Sequence, residues 1–178
     1  MALIATSNLP IADLLLHSTM TLATSDRVGE PHAAAVYFAT DDDLKFHFFS
    51  DVQSQHGQDL ALRPRCATAI HPECQDWQDI HGLQLRGEVR PVQVGPEWEH
   101  AWSVYTAKFP FVSELRELVA RNQFYVFIPD WVRLVDNRRG FGFKREWRRI
   151  VQVSDSVLTD WQPVGDTHEE TGAMHDGA

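Results

Sequence analysis

The sequence is poor in cysteine: Cys66 and Cys74 are the only two in 178 residues. So few thiols rule out a disulfide-stapled scaffold and point to a reduced, cytoplasmic setting. No apolar run approaches the roughly 18 residues that a membrane helix needs. The opening stretch, MALIATSNLPIADLLL, lacks Lys and Arg, which separates it from a secretory signal. Basic residues are also in the minority, with 16 Lys and Arg against 25 Asp and Glu and a net charge of −9. A general nucleic-acid binder carries the opposite, cationic footprint. Phosphate-cradling Gly-x-x-x-x-Gly-Lys and Gly-x-Gly-x-x-Gly motifs are missing, as is the Gly-x-Ser-x-Gly elbow of a serine hydrolase. What is present, 43% hydrophobic residues, suffices for one globular domain with a sizeable core.

Charge is distributed unevenly. Arg133, Arg138, Arg139, Lys144, Arg145, Arg148 and Arg149 form a basic stretch broken only by Asp136 and Glu146. Residues 151–178 then carry Asp155, Asp160, Asp166, Glu169, Glu170 and Asp176 with no Lys or Arg. The chain therefore divides into a folded domain over 1–150 and an acidic tail over 151–178, expected to be flexible. The tail is one candidate for neutralising the basic stretch, and a small anionic ligand is the other.

Hydrophobic periodicity predicts a first helix over Asn8–His17, capped by Asn8 with Pro10 in its first turn. Strands are predicted at Met20–Thr24, Pro31–Thr40 and Leu44–Ser50, joined by polar turns at Asp26–Glu30 and Asp41–Asp43. A short helix follows over Ser54–Leu62, ended by Pro64. Strand signals resume at Cys66–His71 and Gly82–Val94. Pro96 opens a helix carrying Trp98 and Trp102 on one face, and Glu114–Ala120 adds a further helical segment. Phe124–Val135 and Phe141–Ile150 read as late strands. About seven strands with helices inserted between them describe a mainly β protein, with a closed barrel favoured over a sandwich. Turns this short cannot accommodate the crossover helices of a parallel α/β sheet.

Few residue groups suggest chemistry. Cys66, His71, Cys74 and His81 are of zinc-ligand type, but their spacing matches no usual zinc motif, and no metal site is expected. Gly140-Phe141-Gly142 reads as a turn. Trp77, in the polar run QDWQDIHG, either covers a ligand or anchors its loop. The end of the third strand is more suggestive. Phe49-Ser50 is followed by a three-residue turn and then by Ser54-Gln55-His56 at a helix start. Unpaired N–H groups and the positive end of the helix dipole meet hydroxyls and an imidazole there, and such a corner suits either a simple cap or a phosphate.

These residues carry a resemblance. The run from Met20 through Gly29 and Pro31, then Val36, Phe48-Phe49-Ser50, Ser54-Gln55-His56 and Gly87-Glu88-Val89, resembles the pyridoxamine 5′-phosphate oxidase-like FMN-binding split barrels. A second stretch, Trp131–Trp147 with Asp136-Asn137 and Gly140-Phe141-Gly142-Phe143-Lys144, is similar to an uncharacterised bacterial branch of that superfamily. The resemblance implies a six-stranded antiparallel split barrel that forms a homodimer with FMN in the cleft between subunits. It also implies flavin contacts at Phe49, Ser50, Ser54, Gln55, His56 and Lys144. The usual basic grip is altered: Ala34 and Ala39 stand at basic positions of the second strand, and Gln55 and His56 replace arginine and lysine. Val135 stands at the position of a flavin-packing tryptophan. The implied function is a flavin-dependent oxidoreductase acting on a small molecule. The alternative is a barrel that has exchanged FMN for haem or another ligand, with His32, His47 or His175 as axial candidates, or a non-enzymatic structural dimer.

Overall fold

The computed structural model describes residues 4–153 and 157–165. Its strands are β1 (Ile4–Ala5), β2 (Thr19–Ser25), β3 (Pro31–Tyr37), β4 (Ala39–Thr40) and β5 (Phe46–Ser50), then β6 (Arg65–Ile70), β7 (His81–Pro91), β8 (Gln123–Asp136), β9 (Lys144–Val153) and β10 (Val157–Pro163). The helices are α1 (Ala12–Leu15), α2 (Gln55–Leu62), α3 (Pro96–Lys108) and α4 (Arg116–Ala120). All strand pairings are antiparallel, in the order β1-β10-β9-β8-β7-β6-β2-β3, with β5 joining at β8 and β4 at β5. This is the mainly β architecture with helical inserts that the pattern predicts, and the split barrel that the resemblance implies. The main set, β2, β3 and β5 to β9, has seven strands, as the pattern predicts and one more than the six of the resemblance, and the short or peripheral β1, β4 and β10 add to it. Among the described residues, no helix is long and apolar enough to cross a membrane.

The split has a local cause in β8. Along one edge this strand pairs with β7 over most of its length. Along the other, its first part pairs with β5 and its second part with β9. Between the two parts, Arg86 faces Trp131 while Gly87 faces Pro129, so Asp130 is the extra residue of a β-bulge. A Cβ on Gly87 would lie 2.2 Å from the Ile128 carbonyl oxygen and 2.6 Å from the Pro129 Cα, so only glycine allows this approach. Pro129 has no N–H to give to the ladder, which favours the bulge at this point. The displaced Asp130 accepts two hydrogen bonds from Arg65, at 2.7 and 3.2 Å.

Two apolar clusters fill the interior. The larger, containing Leu22, Phe38, Phe46, Phe48, Phe127 and Trp147, lies within the curled sheet. The smaller packs α3 and α4 against β8 through Ala101, Tyr105, Val119, Phe124 and Val126. Trp98 and Trp102 stack on each other at 5.5 Å beside it, as their four-residue spacing predicts.

Three sequence expectations are corrected. The first helix is only α1, and Asn8 ends a 3₁₀ turn (Thr6–Asn8) instead of capping it. Pro10 forces Leu9 into an extended conformation, so no helix can run through this point. The last long strand begins at Lys144, since Gly142 has a positive φ of 72° and closes a turn. Finally, part of the segment expected to be a flexible tail is β10, paired with β9, and its Trp161 is fully buried. Trp161 also donates its indole N–H to Thr6 Oγ1 at 3.2 Å.

Candidate functional site

Strand β5 ends at Ser50, and a turn over Asp51–Gln53 delivers Ser54 as the N-cap of α2. Ser54 Oγ accepts from the Gly57 N–H at 3.2 Å and donates to the Asp51 carbonyl at 2.6 Å. Ser50 Oγ lies 2.6 Å from His56 Nε2 and 3.5 Å from Ser54 Oγ. A Cβ on Gly57 would sit 2.8 Å from the Asp51 carbonyl oxygen and 2.9 Å from that of Val52, so glycine lets the turn fold back against the helix. The amides of Gln55 and His56, the first two of α2, find no acceptor among the described residues. Two hydroxyls, an imidazole and two free amides therefore meet at one corner.

A buried carboxylate supports this corner. Asp59, 2% exposed, accepts from Thr24 Oγ1 at 2.7 Å and from Gln55 Nε2 at 2.8 Å. The Gln55 side chain is thereby turned along the helix, and its contribution to the corner is its backbone N–H. His32 stacks on His56 with ring centroids 6.5 Å apart. Burial and the neighbouring His32 hold the His56 pKa below its ordinary value, against an opposing pull from Asp59.

The remaining sequence candidates lie elsewhere. Phe49 points to the opposite face of β5 from Ser50 and packs edge-on against Tyr105 and Phe124, at 5.3 and 5.8 Å. Lys144 is exposed and pairs with Val135, whereas Ser50 pairs with Gln123 at the other end of β8. At about 3.3 Å per residue the two levels are some 40 Å apart along the strand, so Lys144 cannot join Ser50 within one chain. Ala39 is buried in the smaller core and Ala34 half-buried. Among the described residues, no Lys or Arg side chain hydrogen-bonds to the corner.

Three residues of the basic stretch are satisfied locally. Arg133 pairs with Glu146 at 2.6 Å, Arg138 pairs with Asp136 at 2.7 Å, and Arg149 donates to the Pro129 and Asp43 carbonyls. Trp77 anchors its loop: it meets Phe141 edge-on at 5.5 Å, and its carbonyl accepts from Asn137. Cys66 is buried in the larger core while Cys74 is exposed, both as free thiols, and His71 and His81 bond only to neighbouring carbonyls. Of the haem-ligand candidates, His47 is buried against Asp41, His32 lies over His56, and His175 falls outside the described residues. Sequence reasoning overlooked a second polar cluster of Asp41, His47 and His100.

Comparison with known proteins bears on the fold and the family. A UPF0306 protein of Klebsiella pneumoniae is 31% identical over 117 residues, spanning 66% of this chain and 76% of that protein. A heme-binding protein from Mycobacterium smegmatis shares the fold with a TM-score of 0.64 at 22% identity, over 78% of this chain and 55% of that one. A pyridoxamine 5′-phosphate oxidase-related, FMN-binding protein from Nostoc punctiforme gives a TM-score of 0.51 at 13% identity, over 90% and 91% of the two chains. At such identities the solved structures speak for the fold alone. The family described as pyridoxamine 5′-phosphate oxidase matches residues 11–136, more than half of the sequence. The chain therefore belongs to the pyridoxamine 5′-phosphate oxidase family.

Proposed function

We propose that the protein is a homodimeric FMN-binding split barrel, cytoplasmic, acting as a flavin-dependent oxidoreductase on a small molecule. The observation that carries this reading is the corner formed by Ser50, Ser54, His56 and the free amides of Gln55 and His56. Its donors are of the right type and number for a phosphate monoester. A phosphate dianion beside His56 would favour the imidazolium over the neutral ring. Histidine would then supply the charge that Gln55 and Ala34 lack. The flavin ring, when bound, would supply the redox chemistry, and the protein would hold and orient it.

Dimerisation is supported by the outer face of the sheet. There β2, β6, β7 and β8 form an open groove of about 470 Å³, lined in part by Thr21, Ala23, Ala67, Ala69, Arg86 and Trp131. Arg86 lies over the Trp131 ring at 4.0 Å. On the β2 and β6 side of the groove, Ala23, Ala67 and Ala69 are small enough to permit close approach of a second sheet. The haem alternative has less support, because the His47 side chain is enclosed in the protein, where a porphyrin would have to reach it.

The test is a fluorescence titration with FMN and with riboflavin, alongside an absorption titration with haemin. FMN should bind more tightly than riboflavin, and His56→Ala should reduce that preference by about tenfold or more, the worth of one charge-assisted hydrogen bond. Equal affinity for the two flavins, a preference unchanged in His56→Ala, or a Soret band with no flavin uptake would overturn the assignment.

A further inference from the structure

The structure assigns a second site, on the opposite face of β5 from the phosphate corner: we infer that Asp41, His47 and His100 bind one divalent first-row transition-metal ion. Three separate elements bring these residues together, namely the turn between β4 and β5, β5 itself, and α3. Asp41 Oδ2 lies 3.2 Å from His47 Nε2 and 3.4 Å from His100 Nε2, and the three donor atoms are all within 4.8 Å of one another. Zinc bonds to nitrogen and oxygen are about 2.0–2.1 Å, and a tetrahedron of that size has edges of roughly 3.3–3.4 Å. Both Asp41 distances match such an edge. Two imidazoles and a carboxylate are the donor set that zinc and its first-row neighbours take.

Two of the three ligands are held in place before any ion arrives. Asp41 Oδ1 accepts the backbone N–H groups of Asp43 and Lys45, at 3.1 and 2.9 Å, which leaves Oδ2 directed at the histidines. The same turn contains Leu44 at a φ of +56°, the only non-glycine residue with positive φ among those described. Leu44 is buried, and Arg149 fixes the turn from outside by donating to the Asp43 and Leu44 carbonyls. The His47 side chain is 3% exposed, enclosed between its β4 and β8 neighbours Ala39 and Val126. Its Nδ1 has no partner among the described residues, so that nitrogen can take the ring proton while Nε2, which faces Asp41 Oδ2, presents its lone pair to a cation.

His100 completes the set differently. Its side chain is 56% exposed, so the site opens to solvent on the α3 side and leaves a fourth position for water. A bound ion would link α3 to the β4–β5 turn above the smaller core.

The experiment uses the tag-free full chain, stripped with chelator and titrated with Zn²⁺ against a chromophoric competitor, with Co²⁺ absorption as a second readout. One ion per chain is expected, with the d–d bands of tetrahedral Co²⁺. His100→Ala, on the surface, should keep the fold by circular dichroism and lose about tenfold or more in affinity. The exposed His71→Ala should bind as the unmodified chain does. Absence of saturable binding, equal affinity in His100→Ala, or equal loss in His71→Ala would overturn the assignment.

Discussion

Replacing Gly87 by alanine tests the origin of the split directly. The added methyl would sit 2.2 Å from the Ile128 carbonyl oxygen, 2.6 Å from the Pro129 Cα and 2.8 Å from the Ile128 carbonyl carbon. Ordinary contact begins near 3.4 Å, so the overlap with the oxygen is more than 1 Å. All three atoms belong to the backbone, so no side chain can rotate aside. Either β7 or β8 must move, at the place where β8 changes partners from β5 to β9. Overpacking of this kind costs about 1–3 kcal/mol, and a clash with backbone alone puts Gly87→Ala at the upper end. Set against a typical stability of roughly 5–15 kcal/mol, that is a large share. Urea unfolding followed by tryptophan fluorescence measures it. Glu88→Ala, at the next and exposed position, serves as control and should stay within about 0.5 kcal/mol. A loss below about 1 kcal/mol for Gly87→Ala would refute the claim that the close approach at the bulge requires glycine.

Two further outcomes are expected. Trp161→Ala should destabilise the fold by about 3–5 kcal/mol in the same assay, because a fully buried indole is deleted, and a change under 1 kcal/mol would remove β10 from the folded unit. Lys108 donates to the Leu15 and His17 carbonyls, and burial lowers its pKa from 10.5 to about 8. Between those values the unfolded chain binds more protons than the folded one, so stability attributable to Lys108 rises with pH from about 8 to 10.5 and is lost as pH falls through 8. Wild type should therefore gain on Lys108→Met across that window, whereas parallel pH curves would contradict it.

The early strands were legible because alternation and turn chemistry are local signals. Asp26 and Asp41 each fold their own turns by accepting nearby backbone N–H groups, and Ser54 caps α2 as its residue type suggests. The meeting of Ser50, Ser54 and His56 was legible for the same reason, since the three span one turn and one helix start. The separation of Lys144 from Ser50 within one chain was not legible, because it depends on the register of the long β8, which periodicity does not reveal. Strand β10 was hidden by acidic composition, and Trp161, the one large apolar side chain in the pairing segment beyond Leu158, was its only strong marker. The Asp41–His47–His100 cluster left no spacing motif, because Asp41 and His100 are 59 positions apart and meet only when α3 packs on the sheet.

The pairing of Ile4 with Trp161 and of Ala5 with Asp160 has a kinetic meaning. During vectorial synthesis β1 emerges from the ribosome long before its partner strand β10 is made, with Thr6 and Trp161 separated by 155 positions. Docking of that segment is thus a late step of maturation, after the central strands have zipped up. Until then the outer border of the nascent sheet remains uncovered, a window in which chaperones or stray strands would compete for it.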